Sequence, residues 1–459
     1  MLRDRHSVLL EGPAAATLLR LGTPVLAVLA LQTFVGIAET YFVSSLGTDA
    51  VAGVALVFPL LMLMTMMSNG GIGGGVASAV ARALGAGRQR DAEALAIHAL
   101  AIALLLGAAF TLGVRIGGRP LFTLMGGRGH ALDNATTYAA LVFAAAIPAW
   151  IASLLGAALR GAGNVRVPAL VTMSASFVAL GLSPSLILGL GPFPRLGVAG
   201  AALAVAGLNT ATATALVLYM LSPRAELRLR LCRPQPRLVA DVLRVGLLSA
   251  AGTVLSNLCV VLATGYAGRF GAASLAGYGL ASRLDYVLIP LLFALGTASV
   301  TMVGTAIGAG RIGRARRVAA TGAALSVFAV GTIGAAAALF PGAWMRLFSA
   351  DPAVVAAGSA YLVRVGPAYV LFGAGMALYF ASQGAGRMAW PFAAGLARLL
   401  VVGVGGWLWT TRGGGIGGLF LIVAAGYAAF GALNLLAFLR GYGWARYHAQ
   451  EAIIAPASR

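Results

Sequence analysis

Apolar runs long enough to cross a bilayer recur twelve times along this chain. They fall at roughly 21–43, 51–79, 94–114, 136–159, 167–190, 198–221, 242–267, 275–307, 318–341, 358–381, 389–410 and 416–439. About 20 residues at 1.5 Å rise span the hydrocarbon core, and in lipid a helix satisfies its own backbone N–H and C=O groups, so each run predicts a transmembrane helix. The expected fold class is all-α, a polytopic membrane protein of twelve transmembrane helices in two pseudo-symmetric six-helix lobes. Composition excludes the main rival: 60% of residues are hydrophobic and 10% charged, against about a quarter charged in soluble domains. The net charge of +20 does not point to nucleic acid, because the 32 basic residues are all Arg and are scattered among short loops. The lipid bilayer is the partner this chain requires.

The longest polar break, Ser222–Arg244, holds three Pro and six Arg near the middle of the chain. It divides residues 1–221, an N-lobe of six helices, from 245–459, a C-lobe of six helices and a short tail, with 222–244 as a cytoplasmic linker. The halves repeat. Ala83-Leu84-Gly85-Ala86-Gly87-Arg88 matches Ala306-Ile307-Gly308-Ala309-Gly310-Arg311 at an offset of 223, and Arg160-Gly161-Ala162-Gly163 meets Gln383-Gly384-Ala385-Gly386 at the same 223. Because each half has an even number of helices, the repeat is parallel, and the cleft between such halves is where a transported molecule binds. With the N-terminus inside, 22 Arg fall on the cytoplasmic side and eight on the other, so the positive-inside rule sets both termini in the cytoplasm of a multi-pass inner-membrane protein. The N-terminus lacks a basic start followed by an apolar core, so no cleaved signal is expected and the first run is retained.

Twelve acidic residues exist in the whole chain, and only Glu39 and Asp285 lie within apolar runs. A carboxylate in lipid costs several kcal/mol, so each must face protein or water, and each is a candidate ion-coupling site. Pro24, near the other end of the Glu39 run, lacks an N–H and supplies a hinge. Asp285 has Arg398, in the eleventh run, as a candidate partner in a structural ion pair. Gln32, Tyr41, Asn69, Asn209 and Thr210 in the first half, with Asn257 and Tyr278 in the second, are polar enough to line a substrate cleft. Gly70–Gly75 favours close helix packing or a hinge over phosphate binding. No nucleophile-base constellation and no metal-ligand cluster is visible, so neither an enzyme nor a metal site is expected, and no cofactor beyond a coupling ion.

Several of these stretches carry a resemblance. Glu39-Thr40-Tyr41-Phe42-Val43 with Leu46-Gly47-Thr48-Asp49-Ala50-Val51-Ala52-Gly53, then Ala83 to Arg88, Leu159 to Pro168, Leu196 to Ala202 and Gly304 to Arg311, occur in an order that resembles the multidrug and toxic compound extrusion (MATE) family, part of a multidrug, oligosaccharidyl-lipid and polysaccharide flippase superfamily. The resemblance implies two lobes around a V-shaped cleft and secondary active efflux of amphipathic or cationic organic compounds by alternating access, against an inward flow of H+ or Na+. It also implies that Glu39 stands where the family has a coupling Asp in helix 1, and Pro24 at that helix's bend. The chain departs from the family at Ser183, Ser256 and Phe372, where carboxylates of other branches are missing. A hard cation prefers several oxygens whereas a proton needs one, so H+ is the favoured ion. The expected form is a monomer taking small organic substrates. The alternative is a lipid-linked precursor flippase of the same superfamily; against it, few Arg lie in the runs, Arg283 and Arg398 among them.

Overall fold

The computed structural model describes residues 2–441; the end of the C-terminal tail, with Arg446 and Arg459 of the topology count, lies outside the described residues. Among the described residues every regular element is helical, and twelve spans can be traced. Spans 1 to 6 are Ala14–Ser44, Thr48–Gly85, Gln89–Leu124, the bent pair Gly129–Ala144 and Ala146–Gly161, Arg166–Leu188 and Val198–Leu221. Spans 7 to 12 are Pro236–Gly268, Ala272–Gly308, Ile312–Leu339, Pro352–Gly384, Ala389–Thr411 and Ile416–Leu439. The helices overrun the apolar runs because polar residues at the membrane edge do not break a helix. Span 7, for example, begins at Pro236 inside the polar break, with its proline in the first turn where no N–H is needed.

Span 4 bends by 47° at Ala145. Pro148 explains the break, since it has no N–H for the Ala144 carbonyl and sits in the first turn of the following segment, where that N–H would be unbonded anyway. Span 1, by contrast, runs unbroken through Pro24. Span 2 carries a wide turn at Met67–Ile72, within the glycine stretch.

Each half has its own apolar core. One gathers buried residues of spans 2, 3, 4 and 6 around Trp150, Phe122 and Phe143; the other gathers spans 8, 10 and 12 around Tyr361, Tyr369 and Phe420. The halves touch mainly between spans 1, 2, 7, 8 and 10, with further contacts from spans 3, 4 and 9, and these contacts gather toward the 222–235 connection, here called the linker end. The glycines explain how closely they come. A Cβ on Gly71 would lie 2.9 Å from the Ala250 Cβ, one on Gly85 would collide with the Thr305 carbonyl, and one on Gly308 with the Arg82 carbonyl. The last two contacts are a single contact made twice, since Gly85 and Arg82 are related to Gly308 and Thr305 by the repeat of 223. Hydrogen bonds obey the same symmetry: Ser78 Oγ donates to the Gln383 carbonyl (2.5 Å), and Thr301 Oγ1 donates to the Arg160 carbonyl (2.9 Å).

Ion pairs close the same end. Arg82 reaches Asp241 at 3.1 Å, Arg237 reaches Asp91 at 3.2 Å, and Arg311 reaches Glu11 of the N-terminal helix Leu2–Glu11 at 3.2 Å. That helix bridges the halves: Arg314 donates to the carbonyls of Leu9 and Gly12, and Leu9 joins a buried cluster with Leu18, Val165 and Met302. Away from the linker end the halves separate. The last cross-lobe hydrogen bond is a long one, from Asn257 Nδ2 to Met66 Sδ at 3.6 Å. The molecule is therefore a V whose apex is the linker end.

Candidate functional site

The acid of span 1 meets its partner across the N-lobe. Leu132, Ala135, Tyr138, Ala139 and Val142 form the buried stripe of the first segment of span 4, at the spacing of one helical face. Tyr138, only 3% exposed, is the one member of that stripe with a polar tip, and its hydroxyl donates to Glu39 Oε1 at 3.0 Å. Among the described residues Glu39 has no cation within ion-pair distance and no second donor. Gln32, two turns earlier, shares the Glu39 face. Tyr41 lies about 200° around the helix from Glu39 and is 73% exposed, so it does not join the same cluster.

The acid of span 8 is held differently. Asp285 Oδ1 accepts from the Tyr369 hydroxyl at 2.7 Å and Oδ2 from the Tyr427 hydroxyl at 2.9 Å. The expected direct pair with Arg398 is not formed, because no contact of ion-pair length joins them; Tyr427 stands between. The Arg398 guanidinium lies over the Tyr427 ring at 4.2 Å and over Phe372 at 5.6 Å, so the cation reaches the carboxylate through the ring that donates to it. Tyr278 is a second correction. It does not line the cleft but is buried at 4% exposure in the C-lobe core, edge-on to Tyr361 at 5.3 Å.

The remaining candidates lie along the V. Asn69 lines a small cavity at the cleft floor that also touches Arg160, Thr297 and Gln383. Asn257, one turn from that level, is exposed. Asn209 is half-buried on span 6 and Thr210 is exposed, its hydroxyl returned to the Ala206 carbonyl. Pro24 lies next to Val25 and one turn after Leu21, both on the buried face of span 1, and beside it Thr23 Oγ1 donates to the Leu19 carbonyl. No group of three or more potential metal ligands occurs among the described residues.

Tyr138, Tyr427, Arg160 and Gln383 escaped sequence reasoning. A signal existed for two of them: Arg160 and Gln383 are the unlike residues that open the matched Gly-Ala-Gly stretches. Tyr138 also has a repeat mate, Tyr361, which its position alone does not reveal as an acid's partner.

Known proteins share this arrangement. The MatE family profile matches residues 24–184 and 249–408, one stretch in each half. A FAD transporter of Shewanella oneidensis is 27% identical over 376 residues, covering 80% of this chain and 81% of its own. A probable multidrug resistance protein NorM of Thermotoga maritima is 26% identical, covering 74% and 73%. A solved structure of MATE in the bent conformation superposes with a TM-score of 0.87 at 25% identity, covering 98% of both chains. The chain therefore belongs to the MatE family, as a multi-pass membrane transporter of small molecules and not an enzyme.

Proposed function

We propose that this chain is a secondary active efflux transporter that exchanges amphipathic or cationic organic compounds for an inward-moving proton, with Glu39 as the proton site. One contrast carries the assignment. Asp285 has a donor on each oxygen and a guanidinium one ring away, the setting of a structural centre in the C-lobe. Among the described residues Glu39 has a single neutral donor and one oxygen without a protein partner, so taking a proton there breaks no ion pair. One carboxyl oxygen and one tyrosine also make a poor cage for Na+, which prefers several oxygens.

The lobes, 1–221 and 245–459, work as units, with the linker 222–244 on the cytoplasmic side. The V is then the outward-open form, and alternating access consists of parting the linker end while the far ends close. Protonation of Glu39 from outside changes its bond to Tyr138 and bends span 1 near Pro24. Gln32, Asn69, Asn209, Thr210 and Asn257 supply polar groups along the route, and the chain acts as a monomer in the inner membrane. By reciprocity the proton and the substrate each weaken the other's binding. Relatives named for multidrug resistance support efflux over a lipid-linked flippase, and the relative named a FAD transporter extends the compounds worth testing to large aromatic ones. The test is substrate-induced proton release from purified protein in weakly buffered detergent solution. Release by wild type that is lost in Glu39→Gln supports the assignment; equal release from both refutes it.

A further inference from the structure

Arg160 lies in the last turn of span 4, and its side chain runs back along its own helix, with Nη1 near Gly156. It lines the cavity at the cleft floor between the halves, beside Asn69, Thr297 and Gln383. Among the described residues no carboxylate and no hydrogen-bond acceptor meets its guanidinium. Comparable arginines are all engaged: Arg82 with Asp241, Arg314 with the Leu9 and Gly12 carbonyls, Arg364 with the Ala360 carbonyl, and Arg398 with two aromatic rings. A half-buried guanidinium without a partner is costly to hold, so an unmatched one in a transport cleft needs a reason.

The repeat shows that packing is not the reason. Gln383 occupies the equivalent position in the C-lobe, and its amide nitrogen is satisfied by the Gly70 carbonyl at 3.0 Å and Ser249 Oγ at 2.8 Å. Both residues are clasped across the lobes, but through their main-chain carbonyls, by Ser78 and Thr301. The clasp needs no charge at either position. The positive charge is thus an addition to one side of a symmetric floor, at the level where the lobes must part.

Resting on the transport function above, we propose that Arg160 is an anion-binding residue that receives the phosphate or carboxylate of a soluble organic anion when the linker end opens. In the present form the cavity is about 10 Å³, room for one water at most, so the anion belongs to the opposite conformer. Closure of the linker end then expels the anion toward the open side of the V and leaves the guanidinium unpaired.

Two flavins with the same ring test this: riboflavin, uncharged at neutral pH, and its 5′-phosphate. Their fluorescence reports binding to the full chain in phosphatidylcholine nanodiscs. Wild type is expected to bind the phosphate ester about tenfold more tightly or better, Arg160→Lys to keep most of that preference, and Arg160→Gln to lose it. Equal affinity of wild type for the two flavins, or an undiminished preference in Arg160→Gln, overturns the proposal. So does a preference abolished by adding phosphatidylglycerol, which would assign the site to a lipid headgroup. Because the wild-type comparison needs no variant, a poorly folding Arg160→Gln does not blunt it. Proton-driven transport of ethidium by wild type, measured alongside, separates the two readings: if it proceeds while the flavin preference is absent, the anion site fails and the efflux function stands.

Discussion

Removing the two reciprocal hydroxyls of the clasp, Ser78→Ala together with Thr301→Val, is expected to loosen the linker end without unfolding either lobe. Each hydroxyl donates across the lobes, at 2.5 and 2.9 Å, and each accepting carbonyl keeps a second donor: Gly386 N–H for Gln383 and Gly163 N–H for Arg160, at 3.0 and 2.9 Å. No buried carbonyl is orphaned, so each substitution costs the closed form about 1 kcal/mol. The two together, about 2 kcal/mol, shift the ratio of closed to open linker ends by roughly 30-fold. A wild-type ratio near ~100:1 would fall to roughly 3:1, a quarter of molecules open. Spin labels at Arg90 on span 3 and Arg317 on span 9, both exposed and on opposite lobes, read this as a second, longer distance in pulsed dipolar spectra. The reasoning is refuted if the double variant, and a triple variant that adds Asp241→Asn, both keep the wild-type distance distribution.

Other consequences follow from the same geometry. Gly308→Leu drives a side chain into the Arg82 carbonyl, so the same labels should report a linker end that stays open and transport should be lost. Tyr138→Phe removes the one donor that Glu39 has among the described residues and should slow pH-driven transport about tenfold while leaving expression and thermal unfolding near wild type, because the ring that fills the N-lobe core is kept. Tyr427→Phe takes one donor from Asp285 but retains the ring beneath Arg398, and should lower thermal stability by about 1–2 kcal/mol; Arg398→Met, which leaves the carboxylate with no nearby cation, should cost more.

The architecture was legible because lipid permits so few solutions: an apolar run of about 20 residues has little choice but to be a helix, and the repeat at 223 fixed how the helices pair into halves. The glycines Gly85 and Gly308 stood in the matched motifs, yet their purpose, letting one lobe's backbone rest on the other's carbonyl, depends on a contact between segments more than 200 residues apart. The bend in span 4 was signalled by Pro148 but hidden inside an unbroken apolar run. At the sites, charge was easy to see and its partner was not. Glu39 and Asp285 stand out in apolar sequence, whereas Tyr138, Tyr369 and Tyr427 are ordinary aromatic residues until a neighbouring helix brings a carboxylate to them. Arg398 was singled out as the partner of Asp285, but a direct ion pair is the simplest guess from two opposite charges, and an intervening tyrosine ring cannot be read from a linear sequence. Tyr278 misled for the opposite reason, since a tyrosine on a spanning helix serves a core as readily as a cleft.

The coupling role of Glu39 is tested most directly by transport in proteoliposomes under a pH gradient or a Na+ gradient imposed separately, for wild type and Glu39→Gln. Transport driven by the pH gradient alone and abolished by the substitution is the expected result. Transport driven by Na+, or a fully active Glu39→Gln, would place the coupling site elsewhere and contradict the mechanism proposed for span 1.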